Sequence, residues 1–218
     1  MKTFLSIGAG PGMGLATAER FGREGYQVIL AARSKENTET LATLLTAKGI
    51  KAVAQTVDAG DTASIQNLFK QVAASYGQLD VVHYNAATLR ASSVQDQAAE
   101  TFNADLAVNI GGALTTAQTT LSALSGHGGT LLLTGGGFAL APSPDYLSLS
   151  IGKAGIRALA LGLFESARMQ GVHVATVTVA AFITPGSKEA QDVAEHFWQL
   201  HSQPTEAWTA ETVYSPPA

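Results

Sequence analysis

The chain of 218 residues carries 13 Lys and Arg against 17 Asp and Glu, a formal charge of −4, and has no cysteine. This excludes disulfides, thiolate metal sites and cysteine nucleophiles, and with no basic block it argues against nucleic acid or an anionic membrane as partner. Charged residues are 14% of the chain, against roughly 25% in an average soluble protein, so burial beyond the chain's own core is expected, most simply in a homodimer or homotetramer. No apolar run approaches the roughly 20 residues that span a bilayer. Four glycines and a proline within Met1–Gly14 interrupt what an export signal would keep continuous, so a cytoplasmic protein is expected.

Short apolar runs alternate with longer amphipathic ones. Phe4–Ile7 reads as a buried strand ending in glycines, and Leu15–Glu24 has helical spacing, with Leu15, Ala18 and Phe21 on one face. Tyr26–Ala32 is a second strand, and Ser34 can cap a helix running to about Lys48. Strands at Lys51–Val57 and Leu79–Tyr84 bracket a helix at Thr62–Tyr76. The pattern continues with a helix over Ala98–Leu124 interrupted at Gly111–Gly112, a strand at Thr130–Thr134, a helix over Asp145–Gln170 and a strand at Val172–Val179. Ser187–His201 is amphipathic, and Gln203–Ala218 shows no period. Such alternation predicts an α/β fold: a doubly wound three-layer sandwich of the Rossmann type with a mostly parallel central sheet. One domain over 1–218 is expected, with 187–218 as an appendage. Phe197, Trp198, Trp208 and Tyr214 there could form a lid over a hydrophobic substrate or seal a subunit interface.

Between the first strand and helix lies Gly8-Ala9-Gly10-Pro11-Gly12-Met13-Gly14. Unpaired amides at a helix N-terminus carry partial positive charge, and glycine lets a diphosphate reach them. The spacing is G-x-x-x-G-x-G, which after a first strand points to a dinucleotide; the alternative is a turn that merely packs helix on strand. No carboxylate stands at the end of the second strand to take a ribose 2′-hydroxyl. Arg33 stands there instead, with Ser34 beside it. A guanidinium suits a 2′-phosphate, which favours NADP(H) over NAD(H), unless Arg33 is only a solvated helix-start residue.

Taken together, these residues resemble the short-chain dehydrogenase/reductase family over most of the chain. The likeness rests on the glycine loop, Asp58-Ala59 after the third strand, Asn85-Ala86-Ala87 after the fourth, Asn109, Lys153 and Phe182-Ile183-Thr184-Pro185. The resemblance implies that Asp58 and Ala59 meet the adenine, that Asn85, Ala86 and Ala87 stand for Asn-Ala-Gly, and that Asn109 supports a proton-relay water. It further implies that Lys153 is the lysine of Tyr-x-x-x-Lys and that Ile183 and Thr184 contact the nicotinamide.

At the chemistry the resemblance breaks. Leu149 stands where the family has its proton-donating tyrosine, and Gly136, within Thr134-Gly135-Gly136-Gly137, where it has a serine. Tyr146 shares a helix face with Leu149 and Lys153 and is a candidate proton donor, or else a packing aromatic. Ser148 and Ser150 could relay protons and Thr134 could hold a carbonyl. His83 reads as structural, and the scattered histidines form no metal pair: His196 and His201 fall on different helix faces. No nucleophile elbow occurs. An NADP(H)-dependent oxidoreductase acting on a small apolar carbonyl, alcohol or activated alkene is the expected function, with Asn109, Tyr146 and Lys153 as catalytic residues. The alternative is a catalytically impaired NADP(H)-binding protein with a sensor or structural role.

Overall fold

Apolar runs that do not alternate are what a sheet covered on both faces requires. A computed structural model describes residues 1–216 and contains such a sheet. Its strands are β1 (Thr3–Ile7), β2 (Gln27–Ala32), β3 (Ala52–Thr56), β4 (Val81–Tyr84), β5 (Gly129–Thr134), β6 (Val172–Val179) and β7 (Glu211–Tyr214). All pairings are parallel, in the order β3-β2-β1-β4-β5-β6-β7. The helices are α1 (Met13–Arg23), α2 (Lys35–Ala47), α3 (Thr62–Tyr76), α4 (Ala99–Leu106), α5 (Gly112–Leu124), α6 (Leu147–Arg168) and α7 (Lys188–Ser202). Successive strand residues feed opposite layers. Leu5, Val82, Leu131 and Leu133 join Ile65, Phe69 and Ile156 on one face, while Phe4, Val81 and Leu132 join Phe21, Leu45 and Phe197 on the other. The expected Rossmann-type class is therefore observed, and fully parallel.

Three details differ from expectation. The glycines at 111–112 do not break the helix. A single π-turn, Ala107–Gly111, joins α4 to α5. Glycine is required at 112 because a Cβ there would meet the carbonyl of Ala59 and the hydroxyl of Tyr84. The segment without a period contains an edge strand: β7 pairs with β6 from Thr176↔Glu211 to Val179↔Tyr214. Glu211 is held by Arg157 at 2.8 Å and by the Thr178 hydroxyl at 2.6 Å. Pro217 and Ala218 lie outside the described residues.

The aromatic residues of the last segment pack on the chain's own interior, Phe197 and Tyr214 fully and Trp198 and Trp208 in part. Phe197 is fully buried against His83, and Trp198 packs edge-on to Phe21 under the Arg20 guanidinium. Trp208 stacks on His173 at 4.7 Å, and Tyr214 is buried on β7. α6 is by length and composition the one helix among the described residues apolar enough to span a bilayer. In the fold it lies against the sheet and leaves Ile151 and Leu161 exposed.

At the N-terminal edge of the sheet, His201 bonds the Tyr26 hydroxyl at 2.7 Å and the Thr130 hydroxyl at 2.8 Å. Burial, reinforced by the positive charge of Lys2, pushes its pKa down to about 4. The unfolded chain, with a histidine pKa of about 6.5, then binds the extra proton first. The stabilisation is complete above about pH 6.5 and is lost as pH falls toward 4. Melting temperatures across that window should drop for the wild type and drop less for His201→Gln.

Candidate active site

The C-terminal edge of the sheet opens where the chain reverses direction between β1 and β4, the place where open α/β sheets bind ligands. The glycine loop lies there. Gly8 has φ +85, and a Cβ on it would fall on the backbone of Ala86. Gly10 and Gly12 face open space. α1 starts with no side-chain cap and no acidic residue in its first turn, although Ser34, Asp61 and Ser187 cap α2, α3 and α7. Among the described residues the amides of Gly12, Met13 and Gly14 find no backbone or side-chain acceptor. A diphosphate fits this cradle by charge and by shape.

Around the cradle, Arg33 is exposed at the end of β2 and makes no ion pair among the described residues. Ser34 is occupied as the α2 cap, accepting from the amide of Asn37 at 3.3 Å. Asp58 is exposed and accepts from the Gly60 amide, while Ala59 is buried beneath it. Asn85 donates to the Gly8 carbonyl at 2.9 Å and so ties β4 to the loop. Ala86 and Ala87 follow it, Ala86 against Gly8 and Ala87 exposed. Across the cleft, Ile183 is half-buried and Thr184 exposed on the turn that leads into α7.

Asn109 sits in the π-turn, where its side-chain oxygen accepts from the Thr88 amide at 2.6 Å and its amide donates to the Thr88 carbonyl at 3.2 Å. It packs on Gly152, which has no room for a Cβ, beside Lys153. The Lys153 ammonium donates to the Thr134 carbonyl at 2.7 Å, and burial lowers its pKa to about 8. Its methylenes cross Gly136: a Cβ there would stand 3.1–3.3 Å from Cγ, Cδ and Cε. A side chain at 136 would therefore need the lysine stem to give way by a few tenths of an ångström. Leu149 is buried, with 6% of its surface exposed.

Tyr146 is the N-cap residue of α6, its ring stacked on Phe138 at 5.5 Å and 6.0 Å from Phe182. Phe138 and Phe182 also meet, at 6.0 Å, and Phe182 is 69% exposed. Three rings from three segments therefore form one aromatic cluster at the start of α6. Ser148 and Ser150 are not available as relays. Ser148 donates to Asp105 at 3.0 Å, and Ser150 donates to the Tyr146 carbonyl and accepts from the Ser143 amide. The Thr134 hydroxyl is likewise spent, between His83 and Asn85, and cannot hold a substrate carbonyl.

The short chain dehydrogenase family model matches residues 2–194. The chain belongs to this family. It is an oxidoreductase of the short-chain dehydrogenase type. An uncharacterized oxidoreductase from Staphylococcus aureus strain USA300 is 29% identical over 217 residues, covering 93% of this chain and 92% of that protein. A short chain dehydrogenase from Mycobacterium smegmatis superposes with TM-score 0.89 at 23% identity over 100% of this chain and 93% of that one. An alcohol dehydrogenase from the archaeon Thermococcus sibiricus, complexed with 5-hydroxy-NADP, superposes with TM-score 0.87 at 24% identity over 100% of both chains.

Several residues at this short-chain dehydrogenase site were not singled out from sequence. Phe138 meets Tyr146 only through tertiary structure, and no local period marks it; Phe182 was named within Phe182-Ile183-Thr184-Pro185 but not as a partner of these rings. Asp105, 2% exposed, collects Arg90, Gln97 and Ser148 and so fastens the segment after β4 to α4 and α6. Arg90 and its partner Asp105 lie fifteen positions apart, and no local pattern marks the pair.

Proposed function

We propose that the protein is an NADP(H)-dependent reductase of small, apolar carbonyl compounds or activated alkenes, with Asn109, Tyr146 and Lys153 serving the reaction. The observation that carries the reading is the uncapped start of α1 over the glycine cradle, with an Arg33 unpaired among the described residues and no carboxylate at the end of β2. Gly8, Gly10, Pro11, Gly12, Met13 and Gly14 would hold the diphosphate, Arg33 and Ser34 the 2′-phosphate, and Asp58 and Ala59 the adenine. Asn85, Ala86, Ala87, Ile183 and Thr184 would line the remainder. When bound, the nicotinamide supplies or accepts hydride. Lys153 would place a cation beside its ribose, and Tyr146, the N-cap residue of the same helix, would carry the dissociable proton. Phe138 and Phe182 exclude water and favour an apolar substrate. The exposed Ile151 and Leu161 of α6 support self-association as a dimer or tetramer.

The test is a titration with NADPH and NADH followed by a panel of apolar ketones and enones. NADPH should bind the more tightly, and Arg33→Ala should weaken it about tenfold, the loss of roughly one charge-assisted contact, with NADH unaffected. Tyr146→Phe, which keeps the stacking, should lower kcat about 100-fold, the contribution of a general acid, whereas Leu149→Met should leave it near wild type. Equal affinity for the two dinucleotides would remove the assignment of Arg33. An unchanged kcat in Tyr146→Phe would remove that of Tyr146.

A further inference from the structure

His83 lies in the middle of β4, wholly buried, with the ring of Phe197 4.6 Å away and that of Phe4 at 6.0 Å. Burying an imidazole costs less when its nitrogens find partners. Nδ1 faces the Ser6 hydroxyl on the neighbouring β1 at 3.5 Å, and Nε2 faces the Thr134 hydroxyl at the end of β5 at 2.9 Å. The direction of the chain follows from its far end. The side-chain amide of Asn85 donates to the Gly8 carbonyl at 2.9 Å, so its oxygen points the other way and accepts from Thr134 at 3.0 Å. The Thr134 hydroxyl has then given its proton and can only accept from His83. His83 is therefore the neutral tautomer with hydrogen on Nε2, its Nδ1 accepting from Ser6. Four side chains, Ser6, His83, Thr134 and Asn85, pass hydrogen bonds in one direction beneath the sheet edge and end on the first glycine of the cradle. Thr134 also holds Lys153 through its carbonyl, so the same residue steadies both sides of the cleft.

We propose that His83 is a positioning residue for the dinucleotide: through Thr134 and Asn85 it fixes the Gly8 carbonyl and with it the shape in which the glycine loop offers its amides. The inference rests on the dinucleotide reading above. A residue that merely filled the core would act on stability alone.

The experiment measures NADPH affinity, by fluorescence titration, beside melting temperature. His83→Leu fills the space and breaks the chain, and its Kd should rise about tenfold, the upper range for one neutral hydrogen bond and the order it imposes. His83→Gln keeps an N–H directed at Thr134 and should restore Kd to within about threefold of wild type. Thr134→Val, nearly isosteric, breaks the next link and should match His83→Leu; it also covers the case in which His83→Leu fails to fold. Phe197→Leu removes packing on the imidazole without touching a hydrogen bond, so it should lower the melting temperature and leave Kd unchanged. The proposal is overturned if both chain-breaking variants bind NADPH as tightly as wild type, if His83→Gln is as weak as His83→Leu, or if Phe197→Leu weakens binding equally. Wild-type protein that bound neither dinucleotide would instead defeat the dinucleotide reading itself, and this inference with it.

Discussion

Replacing Lys153 by methionine is expected to give a protein that melts at or above the wild-type temperature and reduces its substrate at least 100-fold more slowly, as for loss of a charged group acting on the reacting centre. Methionine keeps the stem that crosses Gly136 and discards the ammonium. In the wild type that ammonium has one hydrogen-bond partner among the described residues, the Thr134 carbonyl, and burial has already lowered its pKa to about 8. Because the folded pKa lies below the ordinary lysine value of about 10.4, the unfolded chain binds more protons between those values, and wild-type stability should rise with pH there. In Lys153→Met that slope disappears. The pH dependence of turnover runs in the opposite sense: a reaction needing the ammonium holds below about pH 8 and declines above it. Lys153→Arg should not restore activity, since a planar guanidinium is wider than the strip above Gly136. Thermal melts and kcat/KM profiles from pH 6 to about 10, spanning the lysine range, check the pair. A variant that lost stability and kept activity would show Lys153 to be a structural residue.

Gly8→Ala and Gly10→Ala should separate folding from binding within one loop. At Gly8 the backbone is left-handed, which costs an L-residue roughly 1–2 kcal/mol, and the new Cβ would meet main-chain atoms of Ala86 that cannot rotate away. A loss of about 3 kcal/mol or more is expected, large for a single methyl group, visible as a fall in the urea midpoint and accompanied by loss of dinucleotide binding. At Gly10 no atom lies within 4 Å of the added methyl. Its stability should stay within about 0.5 kcal/mol of wild type, while NADPH affinity falls because the methyl occupies the approach to the amides. If both variants unfolded alike, the open space above Gly10 would not be the diphosphate cradle.

The layered architecture was legible because strands buried on both faces leave short apolar or β-branched runs, as at Val28–Ala32 and, with His173, Thr176 and Thr178 among its valines, Val172–Val179. The glycine loop was legible because its spacing follows from the shape it must take. What escaped depends on partners distant in the chain. β7 is four residues long, includes a glutamate, and is a strand because β6 offers an edge and Arg157 meets Glu211. The C-terminal aromatics looked like a lid because nothing local showed that Arg20, Phe21, His83 and His173 would receive them. Hydroxyl groups were overcounted for the same reason: Ser148 and Ser150 as proton relays and Thr134 as a carbonyl holder are each committed to a partner that the tertiary structure brings near.

The π-turn at Ala107–Gly111 gives the α4–α5 helix one residue more than a plain α-helical path would use. Each residue of an α-helix advances the azimuth by about 100°. The wider turn absorbs that residue, so the downstream face stays in phase with the sheet: Gly112 lies against the Ala59 carbonyl, and Thr116 and Ala117 face the interior. A single-codon deletion inside the bulge that spares Asn109 would let it close as ordinary helix and leave that face in place. The same deletion beyond it, between Gly112 and Thr116, has no bulge to consume and would turn Thr116 and Ala117 away from the interior by about 100°.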